Sequence, residues 1–323
     1  MKAIVQHKYG SPDVLNLEEV QKPTPKENQL LIKVHAASIN ALDWHFMRAD
    51  PFFIRLMFGF LKPKNKILGA DIAGRVEAVG ANVKQFQPGD ELFGSCGRGG
   101  FAEYVCANEK GILLKPANVT FEQAAAVPTA AITALQGLRD SGGIQSGQKV
   151  LIHGASGGVG MFAVQIAKSF GAEVTAVCST RNLKMVRSIG ADHLIDYTQE
   201  DFVQNGQQYD LIFAVNGNRS IFDYRRALEP KGIYVVAGGS GTRQMFQTIF
   251  LGRLLSRRGG KTMMSMPTAT IKKKDLIFLQ ELLENGKIVP VIDKCYPLNE
   301  VPEAMRYVED VHAQGKIVIT VAQ

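Results

Sequence analysis

The segment best equipped for chemistry is Lys149-Val150-Leu151-Ile152-His153-Gly154-Ala155-Ser156-Gly157-Gly158-Val159-Gly160. An apolar strand meets a glycine turn, and a helical pattern follows at once with Met161, Phe162, Val164, Ile166 and Ala167. Glycines let a backbone approach a pyrophosphate closely, and the N–H groups and dipole of a helix start favour its negative charge. The spacing is that of G-x-G-x-x-G, with Ala155 at the first glycine position and Gly154 beside it. Gly154, Ala155, Ser156, Gly157, Gly158, Val159 and Gly160 are therefore the candidate phosphate contacts. A dinucleotide held there points to a nicotinamide cofactor and to redox chemistry.

The second strand of such a fold sets cofactor choice. An Asp or Glu at its end bonds the ribose 2′-hydroxyl of NAD, whereas basic and hydroxyl residues accommodate the 2′-phosphate of NADP. Here the strand ends Ala176-Val177-Cys178-Ser179-Thr180-Arg181, with Lys184 one helical turn on. The acid is missing, so Ser179, Thr180, Arg181 and Lys184 favour NADPH over NADH. The alternative is that Arg181 and Lys184 merely solvate a helix start. Cations at a helix N-terminus oppose its dipole and need another reason to be there.

Other reactive side chains offer less. Cys96, Cys106, Cys178 and Cys295 are far apart and form no C-x-x-C pair, which argues against a zinc ribbon or a thioredoxin-type centre and for reduced thiols. His153 ends an apolar strand and reads as a core histidine. His45, beside Trp44, is a weaker candidate proton donor, with solvent as the alternative. Cys178 reads as a small buried residue.

The elements that must position these groups fall into two patterns. Residues 1–120 are β-rich, with strands such as Leu30–Ala36, Ile72–Val79 and Glu103–Ala107 separated by Gly, Pro and Asn turns. An alanine-rich helix is expected over Phe121–Gly137. Strands at 149–153, 173–178, 192–195, 210–214 and 232–237 then alternate with helices at 159–170, 181–189, 199–205 and 219–228. That alternation predicts an α/β fold, a doubly wound parallel sheet with helices on both faces. A short strand Lys261–Met266, a helix Lys272–Glu284 and a β-branched final strand Lys316–Val321 complete the chain.

The bulk numbers agree. The 323 residues suit about two domains, and 46% hydrophobic with 21% charged residues suits a packed globular chain. No apolar run reaches the roughly 18 residues of a membrane span, and the first residues do not read as a signal peptide, so a cytoplasmic location is expected. The net charge of +7 is spread along the chain, and a polyanionic cofactor accounts for it better than nucleic acid. Two apolar stretches stay open. Pro51–Leu61 could form a pocket wall, a lid or a membrane-surface contact. Arg243–Arg258 could be an amphipathic helix at the site, at an oligomer contact or on a membrane.

Taken in order, Ala37-Ser38-Ile39-Asn40-Ala41-Leu42-Asp43-Trp44, Gly69-Ala70-Asp71-Ile72-Ala73-Gly74, Gly80 through Gly89-Asp90, Gly154–Gly160, Gly190 through Tyr197 and Gly315-Lys316-Ile317-Val318 resemble the medium-chain dehydrogenase/reductase superfamily. Within it the chain is similar to the zinc-independent quinone oxidoreductase branch, over nearly its whole length. The resemblance implies a GroES-like β-rich substrate domain at 1–123 and a Rossmann-type dinucleotide domain at 124–266. It also implies a linking helix and return to the first domain at 267–323, with the active site in the cleft between the domains.

The resemblance carries further expectations. Zinc-dependent members have a Cys near Asn40, a Gly-His-Glu where this chain has Gly69-Ala70-Asp71, and a third ligand near Pro128–Ala131. Those thiolate and imidazole ligands are missing here, so no zinc is expected. Asn40, Asp43 and Trp44 are the candidate catalytic residues, with Asn40 and Thr129 beside the nicotinamide. A turn-stabilising role is the alternative for Asn40. Tyr197 is expected near the adenosine phosphate, with simple packing as its alternative, and the backbone at Val215, Asn216, Gly217, Gly238 and Gly239 against the cofactor. The activity implied is NADPH-dependent hydride transfer to a quinone or α,β-unsaturated carbonyl by a monomer or homodimer. The competing reading is an NADPH-binding protein with a structural, sensing or nucleic-acid-binding role and little turnover.

Overall fold

The computed structural model describes residues 1–52, 54–215, 217, 219–238, 248, 251–252, 255–256, 260–310 and 313–321. Asn216, Gly239 and most of the stretch 243–258 lie outside the described residues. The chain forms two compact units. The first comprises Met1–Ala130, Ile271–Asn285 and Pro290–Gln323; the second comprises Ala131–Thr270 and Gly286–Val289.

In the first unit, β1 (Lys2–Gln6) pairs with β2 (Leu15–Glu19). A larger sheet contains β3 (Gln29–Ser38), β4 (Asp71–Val79), β5 (Glu91–Ser95), β6 (Tyr104–Asn108) and β7 (Ile112–Leu114). Two strands of the C-terminal tail, β14 (Ile292–Pro297) and β15 (Lys316–Thr320), extend it in the order β14-β15-β3-β4-β5-β7, with β6 on β3. The register of β15 on β3 is antiparallel, Val318 opposite Ser38 and Ile319 opposite Ala37. The tail thus enters the core of the first unit, where Ile317 and Ile319 join Leu30, Ile32, Ile72 and Phe101. Helices α1 (Ala41–Arg48) and α2 (Ile54–Phe58) fill the crossing from β3 to β4.

The expected long helix at Phe121–Gly137 is broken into α3 (Phe121–Ala125) and α4 (Pro128–Leu135), followed by a wider turn at Gln136–Ser141. Pro128 has no N–H to give to the preceding turn, so the helix restarts there.

The second unit is a six-stranded parallel sheet. Its strands are β8 (Lys149–His153), β9 (Glu173–Cys178), β10 (His193–Asp196), β11 (Tyr209–Val215), β12 (Leu228–Ala237) and β13 (Thr262–Ser265), in the order β10-β9-β8-β11-β12-β13. Central strands of parallel sheets are covered on both faces, which is why Val150-Leu151-Ile152 is apolar without alternation and fully buried. Three crossover helices, α5 (Gly158–Ser169), α6 (Leu183–Ser188) and α7 (Ile221–Arg226), follow β8, β9 and β11. The helix expected at 199–205 does not form; the segment is turns. Asp196 and Asp201 accept the N–H groups of Thr198 and Val203 on their side chains, so these acids compete with the helix for its own donors. In the first unit, α8 (Lys273–Glu284) and α9 (Val301–Asp310) precede the last two strands of the tail respectively.

The tail strand supplies a direct test of this topology. Ile319 is fully buried on β15 beside β3, so Ile319→Ala is expected to cost about 2–5 kcal/mol in urea unfolding. An unchanged midpoint would mean that the tail does not complete this core.

Candidate functional site

The sheet of the first unit brings distant residues into one buried polar group. Asn40 follows β3, Asp71 begins β4 opposite Ser38, and Lys316 begins β15. Relative exposure is 8% for Asn40, 3% for Asp43, 0% for Asp71 and 3% for Lys316, so each polar group must be satisfied from within. Lys316 Nζ donates to Asn40 Oδ1 at 2.6 Å and to the Ile39 carbonyl at 2.7 Å. Because an ammonium only donates, it fixes which end of the Asn40 amide is oxygen. Asn40 Nδ2 then donates to Asp71 Oδ2 at 3.0 Å and, more weakly, to the Ser38 carbonyl at 3.4 Å. Thr129 reaches the same carboxylate twice, Oγ1 to Oδ1 at 2.7 Å and N–H to Oδ2 at 2.8 Å. Asn40 is thus a relay between a buried cation and a buried anion.

Asp43 locks the loop from the other side. Its carboxylate accepts the N–H groups of Asn40 at 2.9 Å and Gly69 at 3.0 Å. Burial pushes its pKa up to about 6, against the pull of those two bonds. Burial also raises Asp71, opposed by Lys316 and the Thr129 bonds. Lys316 is brought down to about 8 by burial, with Asp71 and Asp43 acting the other way.

The remaining sequence candidates in α1 point elsewhere. The Trp44 indole N–H donates to Glu309 at 2.5 Å, and Arg48 grips the same carboxylate at 2.5 and 2.8 Å. That pairing ties α1 to α9 and leaves Trp44 a largely apolar face. His45 Nδ1 sits 2.6 Å from the Asp50 carbonyl, so Nδ1 carries the hydrogen.

The second unit assembles the other candidates at one edge. The strand order reverses between β8 and β11, and ligands of such sheets bind at the carboxyl ends beside that switch. Gly154–Gly160 follows β8, Ser179–Lys184 follows β9, Tyr197 follows β10, and Val215 and Gly238 lie at the ends of β11 and β12. Gly154 has φ +83°, and a Cβ there would meet the Val215 carbonyl at 1.9 Å; one at Gly160 would meet the Gly154 carbonyl at 2.0 Å. Those two glycines are demanded by the fold. Gly157 is different: an added Cβ has its nearest protein atom at 3.7 Å. The space over Gly157, with the first N–H groups of α5 beside it, fits a pyrophosphate.

Around the strand ends the hydroxyls are unequally engaged. Thr180 donates to Asp196, which also takes the Thr198 hydroxyl at 2.7 Å. These bonds, Thr180 first, hold the Asp196 carboxyl below its ordinary range. Asn182 Nδ2 joins Ser156 Oγ at 2.9 Å to Ser179 Oγ at 3.1 Å, bridging the glycine loop and the second strand end. A hollow of about 370 Å³ lies beside α6 and β10, lined by Leu183, Lys184, Arg187, Leu194, Asp196 and Glu200. Tyr197 is exposed, its backbone N–H on the Cys178 carbonyl at 3.1 Å. His153 bonds the Tyr224 hydroxyl at 2.9 Å, and burial brings its pKa down to about 4, so it is a neutral core histidine.

Sequence reading missed three residues. Asp71 entered only as a place where a zinc ligand is missing. Lys316 is a lone cation heading a β-branched strand, and that oddity was its signal. Asn182 carries no motif. Among the described residues, no three His, Cys, Asp or Glu side chains group as a metal would need, and no helix is long and apolar enough to cross a membrane.

Comparison with known proteins gives consistent matches. Residues 26–117 match the alcohol dehydrogenase GroES-like domain family, and residues 189–319 the zinc-binding dehydrogenase family. The chain is 34% identical to a chloroplast envelope quinone oxidoreductase homolog of Arabidopsis thaliana, over 99% of this chain and 98% of that one. It is 33% identical to an NADPH-dependent alkenal/one oxidoreductase of the same plant, over 99% of this chain and 79% of that one. The solved quinone oxidoreductase of Coxiella burnetii superposes with a TM-score of 0.86 at 31% identity, covering 100% of this chain and 99% of that one.

Two measurements test the buried group. Lys316→Met and Asp71→Asn each break a buried charge relay and are expected to cost about 3–5 kcal/mol, with the double variant well short of the sum; additive losses would show the residues to be uncoupled. Asp43 holds its proton up to about 6 when folded but only to 3.8 otherwise. Between those values the folded chain binds more protons than the unfolded one. Its contribution to stability therefore falls as pH rises, by at most ~1.4 kcal/mol per unit, and levels off above the folded value. Urea unfolding of wild type and Asp43→Asn between pH 4 and 7.5 should show a stability difference with this slope, and a flat difference would contradict it.

Proposed function

The chain belongs to the quinone oxidoreductase branch of the medium-chain dehydrogenase/reductase superfamily, and from that premise we propose that it passes hydride from NADPH, without a metal, to a quinone or α,β-unsaturated carbonyl. The activity class follows from relatives named as quinone oxidoreductases and alkenal/one oxidoreductases. The observation that carries the cofactor reading is the edge of the parallel sheet. There the glycine loop with its open space over Gly157 is tied through Asn182 to Ser179, and Arg181 and Lys184 follow at a strand end that carries no acid. Bound NADPH supplies the hydride; the chain's task is to orient, bind and exclude water.

In this reading Gly154–Gly160 hold the pyrophosphate, and Ser179, Arg181 and Lys184 face the 2′-phosphate. Thr180 contributes through its backbone, since its hydroxyl is given to Asp196. Tyr197, Val215 and Gly238 border the adenosine and nicotinamide ribose; the other two candidates, Asn216 and Gly239, lie outside the described residues. Asn40 and Thr129 orient the nicotinamide, Asp43 fixes the Asn40 backbone, and Trp44 offers an apolar wall. Metal independence is supported by the residues themselves. The oxygen of Asn40 already accepts an ammonium at 2.6 Å, and a second cation at that place would meet Lys316 rather than thiolate or imidazole. Reduction of an electron-poor acceptor suits such a site better than oxidation of an alcohol, which needs a strong group to hold its alkoxide. The reading includes a cytoplasmic monomer or homodimer, and the four free cysteines are consistent with a reducing compartment.

The test is NADPH and NADH oxidation against a panel of quinones, enals and enones. NADPH is expected to be favoured by about tenfold or more in kcat/KM, and Arg181→Ser with Lys184→Ser should erase most of that preference. Equal use of both cofactors by the wild type would overturn the 2′-phosphate assignment. Binding without oxidation by any acceptor would favour a non-catalytic NADPH-binding protein.

A further inference from the structure

Two cations of the first unit take no part in the site described above. Arg98, in the turn after β5, places its guanidinium over Phe46 of α1 and Phe58 of α2, 4.1 and 4.2 Å from the ring centroids. Arg55 of α2 lies 5.1 Å over the Tyr9 ring and 5.4 Å over Phe52. Arg48, Arg75, Arg139, Arg219, Arg226 and Arg306 each hold a carboxylate. Among the described residues, neither Arg98 nor Arg55 has an ion pair or a side-chain hydrogen bond, and Arg55 Nε is buried with no partner at all. Burial works against the charge of Arg98. A guanidinium has donors in a rigid fork, and withdrawing it from water without an acceptor is unfavourable. The rings cover the faces of these groups, and the half-buried Arg98 keeps its N–H edge open to a ligand.

The place of this slot gives it a purpose. Two residues before Arg98, Cys96 Sγ rests 3.2 Å from the Ala70 carbonyl, beside Asp71. Asp43 acts on Arg98 through space; its oxygens accept the N–H groups of Asn40 and Gly69 and make no hydrogen bond to Arg98. The Tyr9 hydroxyl lies near both arginines and donates to the Gly59 carbonyl at 2.9 Å. The slot therefore combines two unpaired forks with apolar ring surface, against the helix α1 that also carries Asp43 and Trp44. That combination matches a carboxylate on an apolar, unsaturated body.

We propose that Arg98, supported by Arg55, anchors the carboxylate of an anionic acceptor, so that the favoured substrates are oxo-enoates rather than neutral enones. The turnover part of this inference rests on the reductase reading; the binding part does not. The probes are β-benzoylacrylate and its methyl ester for turnover with NADPH, and saturated β-benzoylpropionate for binding by calorimetry. The acid is expected to exceed the ester in kcat/KM by about tenfold or more. Arg98→Met should bring that ratio to about one and abolish measurable β-benzoylpropionate binding, while Arg98→Lys should fall between. If circular dichroism shows Arg98→Met unfolded, Arg98→Lys decides. An ester reduced as well as the acid, or a preference that survives loss of Arg98, overturns the anchor and leaves the reductase reading intact. Arg98-dependent binding of β-benzoylpropionate with neither compound reduced upholds the anchor and overturns the reductase reading.

Discussion

Much of the first unit is organised around one ammonium group that has no water. Lys316 is buried, and so are the two carboxylates that balance it. Withdrawing such ions from solvent carries a penalty of several kcal/mol each, which only a complete set of partners offsets. That requirement dictates the loop after β3, the first residue of β4, the Gly69 turn and Thr129 together. The Asn40 amide stands at the centre because it alone can accept from the cation and donate to the anion. A carboxylate in its place would bond the ammonium but not Asp71, and a hydrocarbon would strand both.

Among its described residues, the second unit buries no comparable knot of charges. Its candidate pyrophosphate contacts are backbone groups, exposed by glycines and aimed by the register of a parallel sheet, and its candidate cations, Arg181 and Lys184, stand at a strand end. Gly154 and Gly160 are forced by van der Waals contact, while Gly157 leaves space that packing does not explain. Asn182 then couples the loop to the strand end through Ser156 and Ser179, so the glycine loop and the end of β9 are held as one piece. One unit stores its organisation in a dry electrostatic knot and the other in backbone geometry.

This difference governs what a reader of the sequence can see. The parallel sheet, its strand sequence and the glycine loop were legible, because period, glycine placement and strand–helix alternation are local signals. The final strand was legible as a strand, but periodicity does not say which sheet a strand joins; that came only from resemblance. The knot was legible one residue at a time and not as a unit. Asn40 and Asp43 became candidates only through the resemblance, while Lys316 and Asp71 needed the antiparallel register to meet them. Trp44 also came from the resemblance, and its indole nitrogen serves Glu309. The missing helix at 199–205 failed for a local reason, since Asp196 and Asp201 capture the N–H groups that would have started it. Arg98 was invisible because stacking between elements leaves no trace in spacing.

That the cation of the knot comes from the last strand bears on how the chain is made. Asn40, Asp43, Asp71 and Thr129 leave the ribosome early, and Lys316 follows 187 residues (316 minus 129) after Thr129. At ordinary rates of synthesis the interval is on the order of ten seconds or more. Through that time the carboxylates have no counter-ion, and β3 offers an open edge where β15 will lie. The whole of the second unit emerges in the meantime and can fold as a self-contained sheet. The nascent first unit is therefore the partner that a chaperone would hold longest, and a chain cut short before its final strand leaves β3 and Asp71 as the parts most exposed to quality control.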